Sequence, residues 1–310
     1  MQAARGQLEI MRNREPIAEI VATDETPEEL AHRLRLVEKA REFSISELGL
    51  PDNDSYRSYA DIDRDYVVWN VFAAPEFSLE PKTWCFPVAG CVGYRGYFSE
   101  DSARRKAGEL ESQGFDVAVG GVPAYSTLGK FADPVLNTMM HWEDADLIAT
   151  IFHELAHQVL YVKGDSEFNE SFATVVEQVG IERWLVSRGE QDALDAYLER
   201  RELREELLQL VFDTRADLEH LYMLRLAPQE MRRRKAVRLE ELGAALSDEV
   251  ASSGRQAPAW IDDGLNNARL ASMALYHGRV PEFMTLLATC EDDLRCFYRK
   301  ATMLARTSGN

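Results

Sequence analysis

The stretch from Leu147 to Leu160 is apolar at most positions, yet it holds His153-Glu154-Leu155-Ala156-His157. A run of this kind must bury at least one face of a helix. Ionisable groups inside it are costly to bury unless the fold brings partners to them. Positions i and i+4 share a helix face. His153 and His157 can therefore offer ring nitrogens to one metal ion, and Glu154 can take a proton from water activated there. A core histidine with a satisfied ring is the ordinary alternative for either residue alone. With both present and a glutamate between them, the metal reading is the stronger one.

Zinc needs a third protein ligand and an open position. Lys163-Gly164-Asp165-Ser166 reads as a helix stop followed by a new cap, so the chain turns back. The next helix carries Glu170 and Glu177, nearly two turns apart and on one face. Hairpin geometry alone does not choose between them. With the turn centred near residue 165, Glu170 sits shallower than the histidines and Glu177 about level with His153.

Around this hairpin the chain reads as α+β and mostly helical. Residues 1–20 form a charged helical lead-in. Thr26-Pro27-Glu28-Glu29 reads as a capping box opening a helix that runs to about Leu48. YVVWNVFAA, WCFPVAG and CVGYRGYF, between 66 and 98, predict two or three short strands. SEDSARRKAGELESQG predicts a helix ended by Gly114. FDVAVGG and PAYSTLG predict a further strand pair. Helices are expected near 142–162, 167–187, 190–226, 228–252, 262–277 and 280–306. The expected architecture is a small antiparallel sheet packed on a zincin-type active-site helix pair, with a helical C-terminal half. Its parts are 1–65, 66–188 and 189–310, joined in a single catalytic body spanning 1–310. GRQAPAW (254–260) is the best linker candidate, and it is too short to divide the chain.

Composition sets limits on partners. Lys+Arg 35 against Asp+Glu 53 leaves a net charge of −18, which disfavours nucleic acid and anionic lipid. RRRK (232–235) therefore reads as part of a solvated helix face. No apolar run is long enough to span a membrane, and the N-terminus lacks the apolar region of a signal peptide. The chain reads as soluble as written, with an upstream segment before Met1 left open. Four cysteines are too few for a disulfide scaffold. Cys85 and Cys91 lie in a strand-like stretch where a bridge is possible, although buried free thiols are the default. Cys290 and Cys296, read as one helix, would sit on opposite faces about 9 Å apart along the axis, which argues against a mutual disulfide.

The sequence beyond the motif carries a resemblance. Asn169-Glu170-x-Phe172-Ala173, with Glu177 seven residues after Glu170, resembles the ligand helix of gluzincin aminopeptidases. IFHELAHQVLYVKGDSEFNESFATVVE, together with WNVFAAPEFSLEPKTWCFPVAGCVGYRGYF and GVPAYSTLGKFADPVL, resembles a bacterial family of predicted aminopeptidases of the gluzincin type over nearly the whole chain. The resemblance implies one zinc ion per chain, held by His153, His157 and Glu170, with Glu154 as general base. It also implies that Glu177 orients His153 through its other ring nitrogen. The spacer of twelve residues between His157 and Glu170 is shorter than in those aminopeptidases. Relatives commonly begin with an export or lipoprotein signal. If such a signal, and with it a lipid anchor, has been removed here, the cell envelope or periplasm becomes the expected compartment. Cys85–Cys91 then becomes a better disulfide candidate.

A peptidase also needs supporting groups. Gly121–Gly129 is the candidate edge strand for pairing with a peptide backbone. Tyr125 and Tyr161 are candidate donors to the transition state, with His220 behind them. Glu76, Asp61 and Asp133 are candidates for holding a substrate amine, with no basis for choosing among them. The expected activity is a zinc metallopeptidase, an aminopeptidase acting on peptide or protein substrates. The alternatives are a zinc endopeptidase of narrow specificity and a non-catalytic helical binding protein with a vestigial site. Substrate and oligomeric state are not legible.

Overall fold

The computed structural model describes residues 2–86, 90–124, 126–255, 259–262 and 264–308. The chain opens with α1 (Gln2–Asn13), β1 (Arg14–Pro16), α2 (Ile17–Val21) and α3 (Glu28–Ser46). Short strands follow: β2 (Ser58–Ala60), β3 (Val68–Pro75), β4 (Trp84–Phe86), β5 (Gly90–Val92) and β6 (Tyr94–Tyr97). Next come α4 (Glu100–Glu111), β7 (Phe115–Val122) and β8 (Val135–Leu136). The rest is helical: α5 (Asp144–Val159), α6 (Ser166–Arg188), α7 (Gln191–Met223), α8 (Pro228–Ser252), α9 (Ala259–Asp262), α10 (Asn267–His277), α11 (Val280–Ala288) and α12 (Leu294–Ser308). The fold is α+β and mostly helical, as the hydrophobic periodicity predicts.

The sheet is not one unit. β6-β3-β7 forms an antiparallel sheet, β4–β5 a separate hairpin, and β1-β2-β8 a third group in which β2 and β8 run parallel. β3 is the central strand and alternates its faces. Val71 and Ala73 pack with Ala103 and Leu110 of α4. Phe72 and Ala74 pack with Ala268 of α10. α10 therefore lies between the sheet and the helical half, packed on β3, α6 and α7.

Several local expectations are corrected. β1 emerges inside the expected helical lead-in, because Arg14–Pro16 pairs with Ser58–Ala60. Thr26 does not cap α3: Pro27 holds the cap position, and the Thr26 hydroxyl donates to Ile20 O at 2.7 Å. PAYSTLG is not a strand. Its described part is a loop tied down by the buried Asp133, which accepts from Thr127 N at 2.7 Å and from the Thr127 hydroxyl. Of the candidate edge segment Gly121–Gly129, only Gly121 and Val122 belong to β7, which does form a sheet edge. Lys235 leaves the expected solvated face. It is 8% exposed and ties α8 to Asp116 of β7 at 2.5 Å.

The largest correction concerns Cys290 and Cys296, which are disulfide-bonded. The expected single helix over 280–306 breaks between α11 and α12, where Glu291 and Asp292 take positive φ. That turn brings the two Cα atoms to 5.7 Å. Cys85 and Cys91 are also bridged, directly opposite each other in the β4–β5 hairpin.

Candidate metal centre

α5 and α6 form an antiparallel hairpin at the centre of the largest core cluster. Ile148, Ile151, Phe152 and Leu155 of α5 pack with Phe168, Phe172, Val175 and Val176 of α6. Close approach is possible because Gly180 has no side chain: a Cβ there would meet Phe152 Cδ2 at 2.8 Å. The turn between the helices is built by three residues. Gly164 takes φ +86°. Asp165 caps α6 by accepting from Phe168 N at 3.0 Å. The buried Asn169 closes the turn by accepting from Val162 N at 2.7 Å and donating to Val162 O at 2.8 Å. The β4–β5 hairpin braces the outside of this turn, since a Cβ on Gly90 would strike Gly164 N at 2.7 Å.

This frame brings the motif residues together. Glu170 Oε2 lies 3.2 Å from His153 Nε2 and 3.7 Å from His157 Nε2. One donor atom from each of His153, His157 and Glu170 falls within 4.8 Å of the others, so the group could bind a metal. Glu177 takes the opposite edge of His153, with Oε2 2.9 Å from Nδ1. Hairpin geometry left both glutamates open. The tertiary structure sets Glu170 against both histidines and Glu177 against His153.

The electrostatics follow from burial and pairing. Burial alone would lower the pKa of His153, but hydrogen bonds to Glu170 and Glu177 overcome it and hold the metal-free ring protonated. Burial alone would raise Glu170, and His157 and His153 instead hold it well below the usual carboxylate range. Glu177 is likewise lowered, by His153 against burial. Glu154 behaves differently. Burial pushes it up, His157 and His153 pull it back in part, and Glu170 and Asp133 add to the rise. Nδ1 of His157 is buried with no hydrogen-bond partner among the described residues.

The other candidates divide. α5 ends at Val159, so Tyr161 lies in the turn and not on the helix, with its ring 6.4 Å from that of His157. Tyr125 lies outside the described residues. His220 is exposed in the last turn of α7. Glu76 is committed to Arg232 at 2.5 Å, and Asp133 to the 126–128 loop. Asp61 is exposed and accepts from Asp63 N. Two tyrosines near the centre had no sequence signal. Tyr276 of α10 is raised by burial and by Tyr94, Glu170 and Glu154. Tyr56, buried beside Glu154 and Asp133, is raised by burial and by both carboxylates. Both are far from the motif in sequence, and neither lies in a recognisable pattern.

The chain matches the family described as "Putative aminopeptidase" over residues 1–310. It belongs to that family. The description is that of a peptidase-type hydrolase and suggests a peptide substrate. Comparison with curated proteins and with solved structures gives no match. Among the described residues, no helix is long and apolar enough to cross a membrane.

Proposed function

We propose that this member of the aminopeptidase family is a zinc-dependent peptidase of the gluzincin type that removes N-terminal residues from peptides. The observation that carries the reading is the convergence of His153 Nε2, His157 Nε2 and Glu170 Oε2, with Glu154 beside them on α5. Two imidazoles and one carboxylate form a donor set suited to zinc. The pairing of His153 Nδ1 with Glu177 is the outer support such a ligand needs, because it leaves the Nε2 lone pair for the ion. A zinc ion held there would supply Lewis acidity toward the scissile carbonyl and acidify a water molecule.

The chain's own residues do the rest. Glu154, whose carboxyl is raised by burial, accepts the proton of the attacking water and returns it to the leaving amine. The hydroxyl of Tyr161, whose ring lies 6.4 Å from that of His157, is the candidate donor to the developing oxyanion. The outer edge of β7 is the candidate surface for an extended peptide. Residues 1–310 act as one catalytic body in this reading. The two disulfides favour an oxidising compartment, such as the periplasm or cell envelope.

Metal analysis of the purified protein tests the proposal, with about one zinc per chain expected. Glu154→Gln should retain the metal and lose turnover by a factor of about 100 or more. Full activity in that variant would overturn the role of Glu154. Cleavage of N-acetylated peptides as fast as free ones would identify an endopeptidase. Metal binding without cleavage across a broad peptide library would leave a binding protein.

A further inference from the structure

A cavity of about 560 Å³ lies between α7 and α10, with Trp260 of α9 in its wall. This falls within the rough 300–1,000 Å³ range of small-ligand sites. Its lining is unlike the rest of the molecule. The chain carries 53 acidic against 35 basic residues, yet the cavity wall contains Arg200, Arg204, Arg255 and Arg269 and, among the described residues, no carboxylate. Arg200 is partly neutralised from outside by Asp146 at 3.3 Å, and its Nε is buried with no hydrogen-bond partner among the described residues. Arg255 reaches Glu199 at 3.4 Å. Arg204 is exposed and sits in the field of Glu177.

The cavity is linked to the metal centre through α10. Tyr276 and His277 of α10 line it, and α10 packs on α6, which carries Glu170 and Glu177. Tyr276 lies in the field of Glu154 and Glu170, and His277 in that of Glu177 and His153. Converging guanidinium groups in a partly apolar enclosure bind planar carboxylates through paired, charge-assisted hydrogen bonds.

Resting on the peptidase reading above, we propose that this cavity is a substrate subsite that receives a carboxylate, so that the enzyme prefers short peptides bearing an anionic group beyond the scissile bond. A C-terminal carboxylate and an acidic side chain share that chemistry. In either case a peptide with one end at the metal centre and its anion among the arginines would be selected by charge and by length. The acidic exterior sharpens the selection, because the cavity is a local reversal of the molecule's overall field.

The test uses the whole chain, loaded with zinc, and three peptides: Ala-Ala-Ala, its C-terminal amide, and Ala-Ala-Glu-amide. Hydrolysis is followed by release of free alanine, and binding by calorimetry on the Glu154→Gln protein. Amidation should lower kcat/KM and weaken binding by roughly tenfold or more. Recovery with Ala-Ala-Glu-amide would assign the site to acidic side chains, and no recovery would assign it to the C-terminus. Arg204→Met combined with Arg255→Met should erase the preference mainly through KM, and Arg204→Lys should retain part of it. Both arginines are exposed, so the fold is expected to survive. Hydrolysis and binding that are equal for acid and amide would overturn the subsite and leave the peptidase reading standing. Preferential binding of the acid without hydrolysis would uphold the subsite and overturn the peptidase reading. Neither hydrolysis nor binding would overturn both.

Discussion

Glu177 meets Nδ1 of His153 at 2.9 Å, on the ring edge opposite the one that faces Glu170. The two carboxylates come from one face of α6, so the helix spacing sets which ring nitrogen each one reaches. A ring held from both sides cannot rotate away from the metal position. Glu177→Gln should therefore weaken zinc affinity by about 10–100-fold, and Glu177→Ala at least as much. Competition with a chromogenic chelator reads this directly. Unchanged affinity in Glu177→Ala would show that the contact does not support metal binding.

Asn169 closes the turn ahead of Glu170 with two hydrogen bonds to Val162. Asn169→Ala leaves the Val162 N–H and C=O without these partners. The expected cost is about 1–3 kcal/mol of stability, measured by urea unfolding of the metal-free protein. Zinc affinity should fall as well, because Glu170 follows directly on α6. A loss of stability with zinc affinity unchanged would confine Asn169 to a purely structural role.

The Cys290–Cys296 bridge closes a short loop between α11 and α12, six residues apart in sequence. Loop-closure entropy for so short a ring corresponds to about 2 kcal/mol. The double variant Cys290→Ala/Cys296→Ala should lose roughly that much stability while keeping zinc, because the bridge lies in the α11–α12 turn and holds none of the candidate donor residues. Thermal unfolding of the variant against the oxidised wild type checks this. An unchanged unfolding temperature would show that the bridge contributes no net stability.

His277 sets a pH dependence of folding. Burial lowers its pKa from 6.5 to about 4, with Arg204 adding to the drop and Glu177 opposing it. The unfolded chain therefore takes up this proton before the folded one does. The contribution of His277 is fully present above about pH 6.5 and is lost as pH falls toward 4, by roughly 3 kcal/mol in all. His277→Gln removes the titration. The stability difference between variant and wild type should shift in favour of the variant across that window. A difference independent of pH would refute the assignment.

Much of the helical half was legible because its signals are local. Apolar spacing marked α5 to α8 within a few residues, and Gly164 and Asp165 marked the turn that reverses the chain. The failures have a common cause. The 289–293 break is carried by positive φ at Glu291 and Asp292, residues that look ordinary in a helical pattern. β1 exists only because β2 pairs with it from far along the chain. The 126–128 loop is shaped by side-chain hydrogen bonds: Ser126 and Thr127 are organised by Asp133, which no local pattern links to them.

The sequence by itself determined that His153 and His157 share one helix face, because i and i+4 spacing is a property of any α-helix. Helix spacing left open which glutamate lies against both histidines; the family resemblance implied Glu170, with Glu177 behind His153, and the tertiary structure sets the two side chains in those positions. That choice depends on the depth at which α6 packs on α5, which is set by Gly180, Phe152 and the Asn169 turn. Only the tertiary structure brought Tyr56 and Tyr276 to the same centre, and gathered four arginines at one cavity of an acidic chain. Those groupings are made by packing between distant segments, which leaves no trace in local spacing.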